Sequence, residues 1–131
     1  MGSFSDHWEN EILDHLFGKG TYTPPTIYVG LSTADPGDDG TGLAEPSGNG
    51  YARVATAAGD WNTASGGALD NASALEFPTA TGNWGTVTHF ALFDAATDGN
   101  LLAHGTLSQS KVIASGDVGR FAAGDLDVSL D

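Results

Sequence analysis

The sequence predicts a mainly β protein: an antiparallel β-sandwich, of jelly-roll or immunoglobulin-like type, preceded by one N-terminal amphipathic α-helix. Three observations predict it. An apolar stripe at helical period is confined to residues 3–18. Beyond residue 26 the apolar residues alternate at period two in short segments. Glycine-rich turns separate those segments, with 19 glycines in 131 residues, the pattern of sandwiches and barrels. The length is that of one domain of about 100–150 residues. The expected organisation is therefore a single unit over 1–131, with the helix at 3–18, the sandwich at 26–131 and a long loop at 34–50.

The helix is read from Phe4, Trp8, Ile12 and Leu16 at four-residue steps, with Leu13 and Phe17 beside them. Ser3 or Ser5 can cap it, and the acids Asp6, Glu9 and Glu11 favour its positive end. Gly18-Lys19-Gly20 and then Pro24-Pro25 stop it. The first strand runs from Thr26 to Thr33, with Ile27, Val29 and Leu31 on the inner face. Further strands are expected at Tyr51–Ala58, Ala74–Phe77 and Trp84–Asp94, the last covered on both faces. Asp98-Gly99 marks a hairpin turn. Its partner strand is expected at Leu101–Ser108, followed by short strands at Lys111–Ala114, Gly119–Ala122 and Asp125–Leu130. In the last, Leu126, Val128 and Leu130 are expected to point inward. Ala57-Ala58-Gly59-Asp60, Ala114-Ser115-Gly116-Asp117 and Ala122-Ala123-Gly124-Asp125 share one pattern, read as a reused turn.

Composition excludes several functions. With 17 Asp+Glu against 4 Lys+Arg the net charge is −13, which repels nucleic acid and anionic membranes. No apolar run approaches the roughly 20 residues of a bilayer span, and no signal peptide is visible. There is no cysteine, so disulfides, thiolate metal sites and thiol catalysis are absent.

Catalytic motifs are also missing. The sequence holds no nucleophile elbow, zinc-protease helix, phosphate loop or dinucleotide fingerprint. His89 and His104 flank the Asp98-Gly99 turn and, as cross-strand neighbours, would offer a metal two nitrogens beside Asp94; two polar residues on a sheet face is the simpler reading. Asp35, Asp38 and Asp39 in the glycine-rich loop invite a calcium reading, but without the spacing of a calcium-binding hand. A solvated turn is expected there, and no metal or cofactor. Tyr22, Tyr28, Tyr51, Trp61 and Trp84 are core candidates, with a sugar-binding surface as the alternative. Asn71-Ala72-Ser73 fits the glycosylation pattern, a common chance match. The strongest signals outside the core are the helix stripe and the long acidic loop. Phe4, Trp8, Ile12, Leu16, Asp38 and Asp39 are thus the candidate partner-contact residues.

The chain also resembles a family. Phe4-Ser5-Asp6, Leu13-Asp14-His15-Leu16, Tyr22-Thr23-Pro24-Pro25 and Val29-Gly30-Leu31-Ser32-Thr33-Ala34-Asp35-Pro36 carry the resemblance. So do Ala44-Glu45-Pro46-Ser47-Gly48, Gly50-Tyr51-Ala52-Arg53-Val54, Phe77-Pro78-Thr79-Ala80-Thr81-Gly82 and Trp84-Gly85-Thr86-Val87-Thr88-His89-Phe90. These segments resemble small structural proteins of tailed bacteriophages, usually described as phage tail fibre proteins and similar to capsid cement or decoration proteins. The resemblance implies a virion location and a structural, non-enzymatic role, with no catalytic residues to carry over.

Between the two virion roles, the expectation from physics is a cement protein on the outer capsid surface. A chain of 131 residues without heptads or fibrous repeats builds no long shaft by itself. A knob bridging capsid subunits stabilises the shell by binding only its assembled form. The expected partners are then the major capsid protein and copies of the chain itself, a trimer suiting threefold capsid positions. The alternative is a small tail-fibre or tail-associated component that contacts tail proteins or a receptor glycan. A glycan hydrolase is the remote alternative.

Overall fold

The computed structural model describes residues 2–130. The chain forms β1 (Gly2–Phe4), α1 (Asp6–Leu16), β2 (Tyr28–Ser32), β3 (Val54–Ala55), β4 (Ala68–Asp70), β5 (Leu75–Glu76), β6 (Gly85–Phe93), β7 (Leu101–Ile113), β8 (Arg120–Phe121) and β9 (Asp127–Ser129). Seven strands make one sheet in the order β3-β2-β6-β7-β1-β9-β4, and β5 with β8 makes a second. Every pair is antiparallel except β1 with β9. The small sheet covers the large one through aromatic contacts: Phe121 lies 6.4 Å from Phe90 and 6.3 Å from Phe77. Leu31, Leu75, Phe77, Trp84, Val87, Leu92, Leu102 and Leu126 join the two layers in one buried core. The mainly β, sandwich-like architecture with one N-terminal helix is the expected one, built from two unequal sheets.

The helix starts later than expected, at Asp6 rather than residue 3, and ends at Leu16 rather than 18. Residues 2–4 are held extended because β1 is wedged between β7 and β9, with Gly2 opposite Gly105 and Val128. Only glycine fits at position 2, where a side-chain carbon would collide with the Phe90 ring and the His104 carbonyl. Sheet pairing thus overrides the helical period there. Ser5 makes the transition. Its backbone is extended, its hydroxyl accepts from the Trp8 amide at 3.3 Å, and it donates to the Leu101 carbonyl. At the other end the Gly18 and Lys19 amides donate back to the His15 and Asp14 carbonyls at 3.3 and 2.7 Å. Gly18 adopts φ 73°, the left-handed turn that closes helices.

Several strand expectations change, and β5, β8 and β9 are shorter than the segments expected at 74–77, 119–122 and 125–130. The segments at 101–108 and 111–114 are one strand, β7. Its partner β6 shifts register between Val87↔Lys111 and His89↔Thr106, so residues 107–110 swing out opposite Thr88. The polar run Ser108-Gln109-Ser110 marks a bulge, not a strand end. The Tyr51–Ala58 strand shrinks to β3, because only Val54 and Ala55 pair with β2, while the Tyr51 amide donates to the Gly48 carbonyl in a turn. Strands β1 and β4 were not visible in the alternation, being only three residues each. Leu130 points to solvent, 56% exposed, although Leu126 and Val128 are buried as expected. The Asp98-Gly99 turn is present, with both residues at positive φ.

Candidate functional site

Helix α1 has two differently built sides. Its N-terminus meets the long loop. The Asp6 amide donates to the Asp38 carbonyl at 2.9 Å, and the Asp38 carboxylate lies 2.8 Å from His104 Nε2. The other His104 nitrogen is 3.7 Å from Asp35. Carboxylate oxygens of Asp6, Glu9 and Asp38 come within 4.8 Å of one another. Asp39 is not part of this group. It accepts from the Thr41 amide and hydroxyl, and these bonds lower its pKa from the ordinary value. The corner is a solvated acidic turn docked on a helix end.

The loop is held at its far end by a buried pin. Arg53 makes a two-pronged contact with Glu45, at 2.6 and 3.0 Å, and donates to the Ala95 and Asp98 carbonyls at 2.8 Å each. Its guanidinium carbon sits 3.4 Å from the Phe93 ring centre. The Tyr51 hydroxyl donates to Glu45 at 2.6 Å and accepts from the Leu31 amide at 3.0 Å. Burial and the bond to Glu45 push the Tyr51 phenol far above its ordinary value. The sequence reading missed this pin, although Glu45 and Arg53 stand in segments that carry the family resemblance.

The other side of α1 faces a groove. Phe4, Trp8 and Ile12 form one wall, and Trp61, Ala64 and Leu69 belong to the facing segment. That segment is a small hairpin: the Asn62 amide donates to the Asp70 carbonyl at 2.9 Å, and the Ser65 amide to the Ala68 carbonyl at 2.8 Å. The groove holds about 510 Å³, and none of its fifteen lining residues is charged. Only Asn62 and Thr63 bring polar side chains to it. Phe4 and Trp8 pack at 4.6 Å, and the Trp8 indole donates to the Tyr22 hydroxyl at 2.9 Å. Burial raises the Tyr22 phenol, with the Trp8 bond opposing and the Asp94 and Glu11 charges adding. Leu16 continues the Trp8–Ile12 stripe past the groove into solvent, 69% exposed, with Phe17 at 75% and Leu13 at 53%.

The structure therefore separates the six predicted contact residues. Phe4, Trp8 and Ile12 line the groove, Leu16 lies beyond its end, Asp38 sits at the helix N-terminus, and Asp39 caps its own turn. Phe4 contributes from β1, not from the helix. Trp61, expected as a core aromatic, is partly buried against the core and also lines the groove; the Gly66-Gly67 turn is the sequence signal for its hairpin. Trp84 is not a surface aromatic: it is 4% exposed and its indole donates to the Asn49 carbonyl at 2.8 Å. His89 and His104 are not directly paired, since His89 faces Thr106 and His104 faces Ala91. Asp94 accepts from the Asn100 amide and side chain instead of joining them. Asn71 of the glycosylation-like triplet is fully buried.

No helix among the described residues is long and apolar enough to cross a membrane. Comparison with curated proteins finds no match. A family model, described as podophage GP4 fiber I protein gp80, matches residues 3–129. The chain belongs to this podophage fibre protein family and is a bacteriophage virion structural protein of the fibre kind.

Proposed function

We propose that the chain is a non-enzymatic component of the phage tail fibre apparatus, attached to a neighbouring virion protein through the groove beside α1. The observation that carries this reading is an open apolar groove, continued by exposed Leu16, on a molecule of net charge −13. Apolar surface left uncovered on so acidic a protein marks a contact site. The family description favours the tail over the outer capsid surface, which is the expectation for a short chain without heptads or fibrous repeats. A compact protein without a shaft serves a fibre as an adaptor or knob, and its contacts form only on assembly. The almost wholly carbon-lined groove suits a protein segment better than a sugar, whose hydroxyls need polar partners.

Virions separated into tails and shells, with this protein quantified in each by mass spectrometry, test the location. A few copies per particle travelling with the tails is the expected result. Many copies travelling with the shells would overturn it and favour the cement role and its partner, the major capsid protein.

A further inference from the structure

We infer that a second groove, between the two sheets, binds a small ligand made of an apolar body and one carboxylate-like anionic group. This groove shares no lining residue with the one beside α1, and the inference does not rest on the attachment reading.

The apolar body follows from the floor. Leu31, Phe77, Val87, Phe90 and Phe121 line the groove and belong to the core or pack against it. They come from β2, β6, β8 and the end of β5, so a ligand here meets carbon from both sheets. The irregular pairing of β6 with β7 supplies the mouth. Where their register shifts between Val87↔Lys111 and His89↔Thr106, the freed residues Leu107, Ser108 and Gln109 join the lining. Bulges of this kind re-aim side chains beside binding sites. The space is about 410 Å³, the size of a small-molecule site.

The anionic group follows from the cations. The chain has only four Lys and Arg. Arg53 is committed to Glu45, and Lys19 lies past the end of α1, outside this groove. The other two, Lys111 and Arg120, both line it, and both are exposed. Among the described residues neither side chain makes a hydrogen bond or an ion pair. Glu76 stands across the β5–β8 ladder from Arg120 but does not line the groove. A guanidinium and an ammonium at one mouth suit a single carboxylate. Asp125 and Asp127 share the lining, and the Asp125 carboxylate accepts from the Ala122 amide of its own turn. These two acids repel any further negative charge, so a monoanion fits and a polyanion does not. An acidic protein segment is a poor occupant for the same reason, and the net charge of −13 opposes its approach.

The test is calorimetric titration of the full chain with octanoate, octylammonium, octanol and acetate. Net charge alone would make octylammonium the tightest. The expected result is octanoate at least about tenfold tighter than each of the others. That preference is expected to vanish in Lys111→Gln/Arg120→Gln and to persist in Lys111→Arg/Arg120→Lys, which keeps both charges. It is also expected to persist in Ile12→Gln/Ala64→Gln, which alters the groove beside α1 at positions outside the buried core. Unchanged thermal melting verifies the fold of each variant. No binding of octanoate, or octylammonium binding as tightly, would overturn the inference. So would a preference that survives in Lys111→Gln/Arg120→Gln. Acetate binding as tightly as octanoate would overturn the apolar body. Loss of octanoate binding in Ile12→Gln/Ala64→Gln alone would place the ligand in the other groove instead.

Discussion

Asn71 and Leu126 hold each other through two hydrogen bonds. The Asn71 amide donates to the Leu126 carbonyl at 3.1 Å, and the Leu126 amide donates to the Asn71 side-chain oxygen at 2.9 Å. The side-chain nitrogen of Asn71 donates to the Ser73 and Ala122 carbonyls at 2.9 Å each. A fully buried side chain thus ties the end of β4 to the turn before β9, with each of its polar atoms used.

Replacing Asn71 by Ala leaves an amide and two carbonyls without their partner in a dry interior. The expected loss is about 2–3 kcal/mol of stability, read from the midpoint of urea unfolding at unchanged slope. Asn71→Asp is expected to be destabilised as well, since it keeps the acceptor but loses both donors. A wild-type midpoint for either variant would contradict the role assigned to this side chain.

The Glu45–Arg53 pin predicts an asymmetric result. Glu45→Ala strands a guanidinium whose side chain is 5% exposed, and removing one partner of a buried pair costs about 3–5 kcal/mol. Arg53→Met keeps the packing on Phe93 and is expected to cost less. In both variants hydrogen exchange should rise across the long loop before it rises in β6. Uniform exchange over the chain would show that the pin does not organise the loop.

The three repeated turns share one bond. The carboxylates of Asp60, Asp117 and Asp125 accept from the amides of Ala57, Ala114 and Ala122 at 2.9, 2.9 and 3.0 Å. Each aspartate amide in turn donates to the alanine carbonyl at 3.0 Å. By analogy with helix caps, each Asp→Ala change should cost about 0.5–2 kcal/mol. Thermal melting of the single variants checks this, and an unchanged melt in all three would remove the turn from the account.

Tyr51 predicts an alkaline limit. Its phenol is raised in the folded state by burial and by the bond to Glu45, so the unfolded chain loses the proton first. Tyr51 therefore contributes its full stability below the ordinary phenol value of about 10 and loses it as pH rises beyond that. Tyr51→Phe should flatten this fall in stability. An equally steep fall in the variant would assign the effect elsewhere.

The alternation of Val29 with Leu31 and the apolar run of β6 made the sheet legible, because burial acts on side chains at period two. The Asp98-Gly99 turn and the three aspartate turns were legible because they close on local bonds. Strand β1 was not. Its extended form comes from β7 and β9, roughly a hundred residues away in sequence, and its Phe4 happens to match the helical stripe of Trp8 and Ile12. The candidate site was half legible for the same reason: the helix wall announces itself by period, whereas Trp61 and Leu69 join it only through a hairpin paired over a few residues. The Glu45–Arg53 pin depends on tertiary placement and leaves no periodic trace.

The most direct measurement of the central claim is incorporation of the Ile12→Gln/Ala64→Gln variant into phage particles beside the wild type. A variant that melts like the wild type but is missing from purified tails is the predicted result. Incorporation at the wild-type level would contradict attachment through the groove beside α1.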